Sequence, residues 1–183
     1  MNMRRITIGL IIGFALILVL IAAAFLFWAL AKPNHSKMNL PNPVSWDSDL
    51  AEINVSDVHV TYLLNEIGAY QLRNAPLSDE PSRIEVQVDS DVFTSEIDDG
   101  KISTRRGKAE GADLRIITTK EEVANSLASS DTKEHIRNSV KNGKTQLKLV
   151  AGYTTLFSKG YLSLYKDLTD KSFTGSVVRI FAD

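Results

Sequence analysis

The 183 residues contain no cysteine, which removes disulfides, thiolate metal sites and thiol nucleophiles. Histidine is scarce. His35, His59 and His135 lie far apart, and no two share the i, i+4 spacing that puts two metal ligands on one helix face. There is no Gly-x-x-x-x-Gly-Lys-Ser/Thr loop to cradle phosphates and no Gly-x-Ser-x-Gly elbow to expose a serine nucleophile. Internal repeats and low-complexity tracts are also missing. With no nucleophile, base or oxyanion arrangement to assemble, the chain reads as a non-enzyme, with no cofactor and no metal. Charge is missing altogether from Ile6 to Ala31.

That uncharged stretch is 26 residues long. At about 1.5 Å rise per residue it is long enough to cross a hydrocarbon core of roughly 30 Å. Trp28 suits an interfacial position near one end. A cleaved signal peptide is the rival reading, since Ala29-Leu30-Ala31 fits a small-x-small site. The stretch exceeds the roughly 7–15 residues of a signal h-region, which favours a retained single-pass anchor over residues 1–32. Arg4 and Arg5 precede the span and Lys32 and Lys37 follow it. The N-terminus is therefore expected inside, with the C-terminal part on the outer face. Gly9 and Gly13 form a Gly-x-x-x-Gly pair that would let two helices approach, although glycine is common in such helices.

Beyond the anchor, 151 residues remain, enough for one domain. Taking Arg4, Arg5 and Lys32 from the 21 basic residues leaves 18 against 22 acidic ones, a net charge of −4. That sign argues against nucleic acid as a partner. Residues 33–49 hold Pro33, Pro41 and Pro43 among Asn and Ser and read as a flexible tether, leaving 50–183 as the soluble domain. The Asn-x-Ser triplets at Asn34 and Asn54 read as coincidence.

Ser56 to Arg73 has helical spacing, with Ser56 as N-cap and Leu63, Ile67 and Tyr70 on one stripe beside Val58 and Tyr62. Its start is ambiguous, because Val58, Val60 and Tyr62 also alternate. Ile84, Val86 and Val88 alternate with polar residues, as do Phe93, Ser95 and Ile97. Asp98-Asp99-Gly100-Lys101 is a hairpin turn, returning through Ile102 to Arg105. Leu114 to Thr118 is a further strand. Thr118 and Glu121 are spaced as a capping box for a helix carrying Val123 and Leu127. Asp131 caps a second helix with Ile136 and Val140 inward, and Gly143 sits at its C-cap. Thr145 to Val150 is a strand, Tyr153 to Leu168 one amphipathic helix, and Ser176 to Phe181 a last strand.

The acidic run Asp89, Asp91, Glu96, Asp98, Asp99 lacks the glycine and ligand spacing of a calcium loop and reads as turns and solvated faces. Arg105-Arg106-Gly107-Lys108 reads as a solvated hairpin end. The last helix mixes bulky Leu156, Phe157, Tyr161 and Leu164 with small Gly152 and Gly160. Either it packs a solid core against the sheet, or it leaves an apolar cavity that takes up a lipid-like ligand through non-directional burial.

Three stretches carry a family resemblance: Phe93 to Ile102, Gly111 to Thr119 with its Ala-Asp pair entering a strand, and Ser139 to Gly152 with its Gly-Lys opening another. Over about residues 84–168 the chain resembles a sterol carrier protein type-2 domain. The resemblance implies an α+β fold, a largely antiparallel sheet with helices on one face. It implies non-enzymatic binding of a fatty acid, sterol or other lipid, lined by Leu156, Phe157, Tyr161 and Leu164 facing Phe93 and Ile116. Two functions follow as expectations. One is a lipid-binding domain tethered to the bilayer through residues 6–31. The other is an extracytoplasmic assembly subunit of a membrane complex, with a membrane-protein partner and no ligand cavity.

Overall fold

A computed structural model describes residues 13–24, 35–44, 53–75, 79–108 and 110–170. The chain divides into two compact units, residues 1–32 and 33–183. In the first, residues 13–24 form an α-helix exposed along its length, with Phe14, Val19 and Leu20 all more than 60% accessible. Among the described residues no helix is long and apolar enough to cross a membrane. The rest of the expected anchor, with Gly9 and Trp28, lies outside the described residues, as do Asn34 and the expected strand at Ser176 to Phe181.

The second unit is α+β. Its strands are β1 (Ser82–Val88), β2 (Asp91–Asp98), β3 (Lys101–Arg106), β4 (Leu114–Thr118) and β5 (Gln146–Leu149), in the sheet order β3-β2-β1-β4-β5. The sheet is mixed but mostly antiparallel: β1 pairs with β4 in parallel, and the other three pairings are antiparallel. The helices of this unit are α1 (Asp57–Glu66), α2 (Lys120–Ala128), α3 (Thr132–Lys141), α4 (Tyr153–Lys159) and α5 (Tyr161–Thr169).

The period-2 pattern decides which sheet face is covered. Ile84, Val86, Val88, Phe93, Ile97, Leu114 and Ile116 are buried in one core with Val60 and Leu64 of α1, Val123 and Leu127 of α2, and Leu164 and Leu168 of α5. The alternate positions carry cross-strand ion pairs, Arg83 with Glu96 and Arg115 with Glu85. At the β2–β3 turn Asp99 and Gly100 both have positive φ, 49° and 77°, as a two-residue hairpin loop of this hand requires. The side chain of His35 fills the space where a β-carbon on Gly100 would sit, 2.8 Å from His35 Cβ.

Residues 35–44, expected as part of a tether, belong to the second unit and hydrogen-bond to its helices. Asn65, fully buried, accepts from the Met38 N–H and donates back to the Met38 carbonyl. Asn42 donates to the Leu127 carbonyl at 2.7 Å.

Four local expectations need correction. The helix from Ser56 stops at Glu66; Gly68 adopts φ 92° and a single 3-10 turn, Ala69–Gln71, follows. Its buried stripe is Val60, Leu64 and Ile67, with Val58 exposed and Leu63 half-buried, because the sheet lies on that side. The N-cap of α2 is Thr119, one residue later than expected, whose hydroxyl accepts from the Glu122 N–H. The closing helix is two helices, broken at Gly160 with φ 90°, a left-handed conformation that an L side chain rarely adopts. Asp131 caps α3 and Gly143 follows it with positive φ, as the spacing predicts.

Candidate functional site

The break at Gly160 decides where the bulky residues of the last segment go. Leu156 and Tyr161 are fully buried and Leu164 nearly so. Tyr161, the first residue of α5, places its hydroxyl 3.1 Å from both Asp113 Oδ2 and the Arg83 carbonyl. Burial and the charge of Asp113 push its phenol well above the usual range, so it stays protonated and donates. Phe157 is half-buried and stacks on Tyr153 at 6.1 Å between ring centroids. Phe93 is fully buried, with the Arg106 guanidinium 5.3 Å from its ring centroid. These five residues are core or stacking groups.

Asp113 organises this end of the core. Its Oδ2 accepts from the Lys159 ammonium at 3.0 Å and from the Arg83 N–H at 2.9 Å. Lys159 also donates to the Pro81 carbonyl. Asp113 is 4% exposed and Lys159 2%, so this is a fully desolvated ion pair whose members are satisfied by further hydrogen bonds. The Asp113 carbonyl accepts from both Val150 and Ala151, tying β4 to the end of β5. The Ala112-Asp113 pair is therefore a structural device.

An apolar void lies elsewhere, between the sheet and α1, α2 and α3. Its lining is Val60, Leu63, Leu64 and Ile67 from α1, Val86 from β1, Ile116 and Thr118 from β4, Glu122, Val123 and Ser126 from α2, Ile136 from α3, and Thr145. Of the six residues expected to contact a ligand, only Ile116 reaches it. The void measures about 50 Å³, compared with roughly 150 Å³ for a cavity that admits benzene. An acyl chain enters only if a covering helix gives way.

One end of the void is polar. Glu122, 5% exposed, accepts from Lys144 Nζ at 2.8 Å through Oε1. Its Oε2 lies 3.7 Å from His135 Nε2, a buried nitrogen with no hydrogen-bond partner. Thr118, Thr145 and Ser139 form a hydroxyl chain beside it, at 2.9 and 2.8 Å. The Gly143-Lys144 pair thus has a local purpose: the turn after α3 delivers Lys144 to Glu122. Sequence reasoning missed Glu122 and Ser126, although both sit one turn apart on the helix beside Val123 and Leu127.

Burial pushes the Glu122 carboxyl up, but hydrogen bonds from Lys144 and Ser139 and the charges of Lys144 and His135 outweigh it, and the net is a lowered value. A carboxyl whose folded value is depressed stabilises the fold above its unfolded value of about 4.3 and loses that contribution as pH falls through the folded value. Urea midpoints of the full chain should therefore fall below about pH 4.5, and more steeply than in Glu122→Gln. Equal slopes for the two proteins would contradict this assignment.

The acidic run expected to be solvated is spent on local pairing: Asp91 on Arg106, Glu96 on Arg83, Asp98 on Asn74 and Asp89 on the Lys120 N–H. No group of three or more metal-ligating side chains occurs among the described residues.

No protein-family model and no curated protein matches this sequence. Among solved structures the chain is similar to UbiJ-SCP2, a ubiquinone synthesis protein, at 12% identity and a TM-score of 0.35, covering 62% of this chain and 95% of that one. It is similar also to sterol carrier protein 2 like 2 from Aedes aegypti, at 12% identity and a TM-score of 0.29, covering 58% and 94%. Both likenesses are to domains of the type that the sequence motifs resemble.

Proposed function

We propose that this protein is a membrane-anchored, non-enzymatic binder of a small apolar or lipid-like molecule. The observation that carries the reading is the apolar void between the sheet and α1–α3. Empty apolar space forfeits dispersion contacts along its walls, so an apolar guest is stabilised there without directional anchors. The anchor is residues 6–31, with the binding domain on the outer face. Its support is the uncharged run of 26 residues. Anchoring holds the domain beside a bilayer that supplies apolar ligands and raises the effective concentration of that encounter.

Native mass spectrometry of the full chain released from lipid nanodiscs tests the reading. The wild type should carry an apolar adduct of defined mass. Ile136→Phe, which projects extra carbon into the void from half-buried α3, should lose it at a stability cost of about 1–3 kcal/mol or less. A wild-type spectrum with no adduct, together with no uptake of an added apolar probe, would remove the basis for it.

One observation favours a protein partner as the second reading. Tyr153 is 51% exposed while stacked on Phe157, which leaves an aromatic face on the surface of α4. Cross-linking in native membranes separates the two readings, because only the second requires a trapped partner at α4.

A further inference from the structure

Resting on that binding reading, we infer that residues 35–44 are a strap pinning α1 and α2 over the void, and that its release is the step that admits a ligand. At about 50 Å³ the void takes no acyl chain as it stands, so one of its walls has to move. Two of those walls, α1 and α2, meet the strap at their C-terminal ends. The fully buried Asn65 side chain of α1 grips the Met38 backbone at two points, accepting from its N–H at 3.1 Å and donating to its carbonyl at 2.9 Å. Asn42 donates to the Leu127 carbonyl of α2 at 2.7 Å. Leu127 lies in the last turn of α2, where a carbonyl has no partner within the helix. Both attachment points adjoin the void: Leu64 precedes Asn65 and Ser126 precedes Leu127, and these two neighbours line it. Lys37 adds an ion pair with Glu66 at 2.6 Å.

The strap is built to come away. None of residues 35–44 belongs to a helix or strand, and none is fully buried. Met38 and Val44 are only partly buried against the core. Lys37 is 48% exposed, so its ion pair adds little in water. Pro41 and Pro43 have no N–H whose hydrogen bond could be lost. Release therefore uncovers little apolar surface, and segments of this kind open at a far lower free energy than core strands do. What release removes is specific: both hydrogen bonds of Asn65 and the partner of the Leu127 carbonyl. The two helices over the void then lose their shared tie, while the sheet keeps all of its pairings.

The test uses the full chain in lipid nanodiscs with methyl-labelled isoleucine. The probe is perdeuterated dodecane, which is too long for the void as it stands. The readout is the rate at which the Ile116 and Ile136 methyl signals shift, since both residues line the void. Met38→Pro with Asn42→Ala removes the N–H that Asn65 accepts and the bond to Leu127. It should speed uptake roughly tenfold, a change within reach of two ordinary hydrogen bonds. The reverse experiment fixes the strap in place. Lys37→Cys with Glu66→Cys puts the only thiols of the protein at the two ends of the present ion pair, and a short bismaleimide joins them. The joined protein should take up dodecane several-fold more slowly than the same protein before joining. Equal rates before and after joining overturn the inference and leave the apolar-ligand reading standing, because the probe then enters past another wall. If dodecane moves these methyls in none of the proteins, the released variant included, the apolar-ligand reading falls and takes the inference with it. Should the released variant fail to fold, the comparison before and after joining decides alone.

Discussion

Asp113→Ala should destabilise the domain by about 3–5 kcal/mol, the usual cost of removing one partner from a buried ion pair. The cost has identifiable parts. Lys159, 2% exposed, would keep a charge with only the Pro81 carbonyl facing it. The Arg83 N–H would lose its acceptor and the Tyr161 hydroxyl one of its two. Against a total stability of about 5–15 kcal/mol such a loss is large. The paired replacement Asp113→Leu with Lys159→Met should cost less than either change alone, because two apolar side chains leave no uncompensated charge. Equilibrium urea unfolding of the three variants measures this directly. If Asp113→Ala moves stability by less than about 1 kcal/mol, the ion pair is not desolvated as described.

Phe93→Ala should cost about 3–5 kcal/mol, the loss of transfer energy plus the cavity left behind. Phe93 is fully buried on β2, opposite Val86 on β1 and Arg106 on β3. Arg106 spreads over the ring, pairs with Asp91 and reaches the Val55 carbonyl, so the ring also positions a surface network. Because Phe93 does not line the void at α1–α3, its removal should leave uptake of a small apolar probe there unchanged. This separates a core role from a ligand-contacting one. A variant with near wild-type stability and abolished probe binding would reverse the assignment made here.

Much of the sheet was legible in the residues, for a physical reason. Strands half-buried against helices tend to alternate, and Ile84-Val86-Val88 and Phe93-Ser95-Ile97 keep to one covered face. Asp99-Gly100 is a turn because positive φ at two successive positions suits few residue types, and Asp131 caps a helix through its own side chain. Each of these features is settled within a few residues of chain.

The candidate site was not legible in this way. Tyr153 to Leu168 keeps its apolar spacing on both sides of Gly160, so periodicity alone shows one helix; the break at Gly160 shows only in the fold. The void is bounded by α1, α2, α3 and two strands that lie far apart in sequence, and an empty space leaves no residue of its own to read. Ile116 was found because strand alternation places it on the covered face. Glu122 was missed because a carboxylate on a helix beside Val123 looks solvated until His135, from the first turn of α3, and Lys144, from the turn after it, arrive.

By itself the sequence determined an uncharged N-terminal run, a domain of α+β type and which face of each strand is covered, since these follow from local composition and spacing. The three-dimensional packing alone decided that Asp113, Lys159 and Tyr161 form a buried network, and that an apolar void lies under α1–α3. Burial and the pairing of charges depend on which distant segments meet, and only the folded chain brings them together.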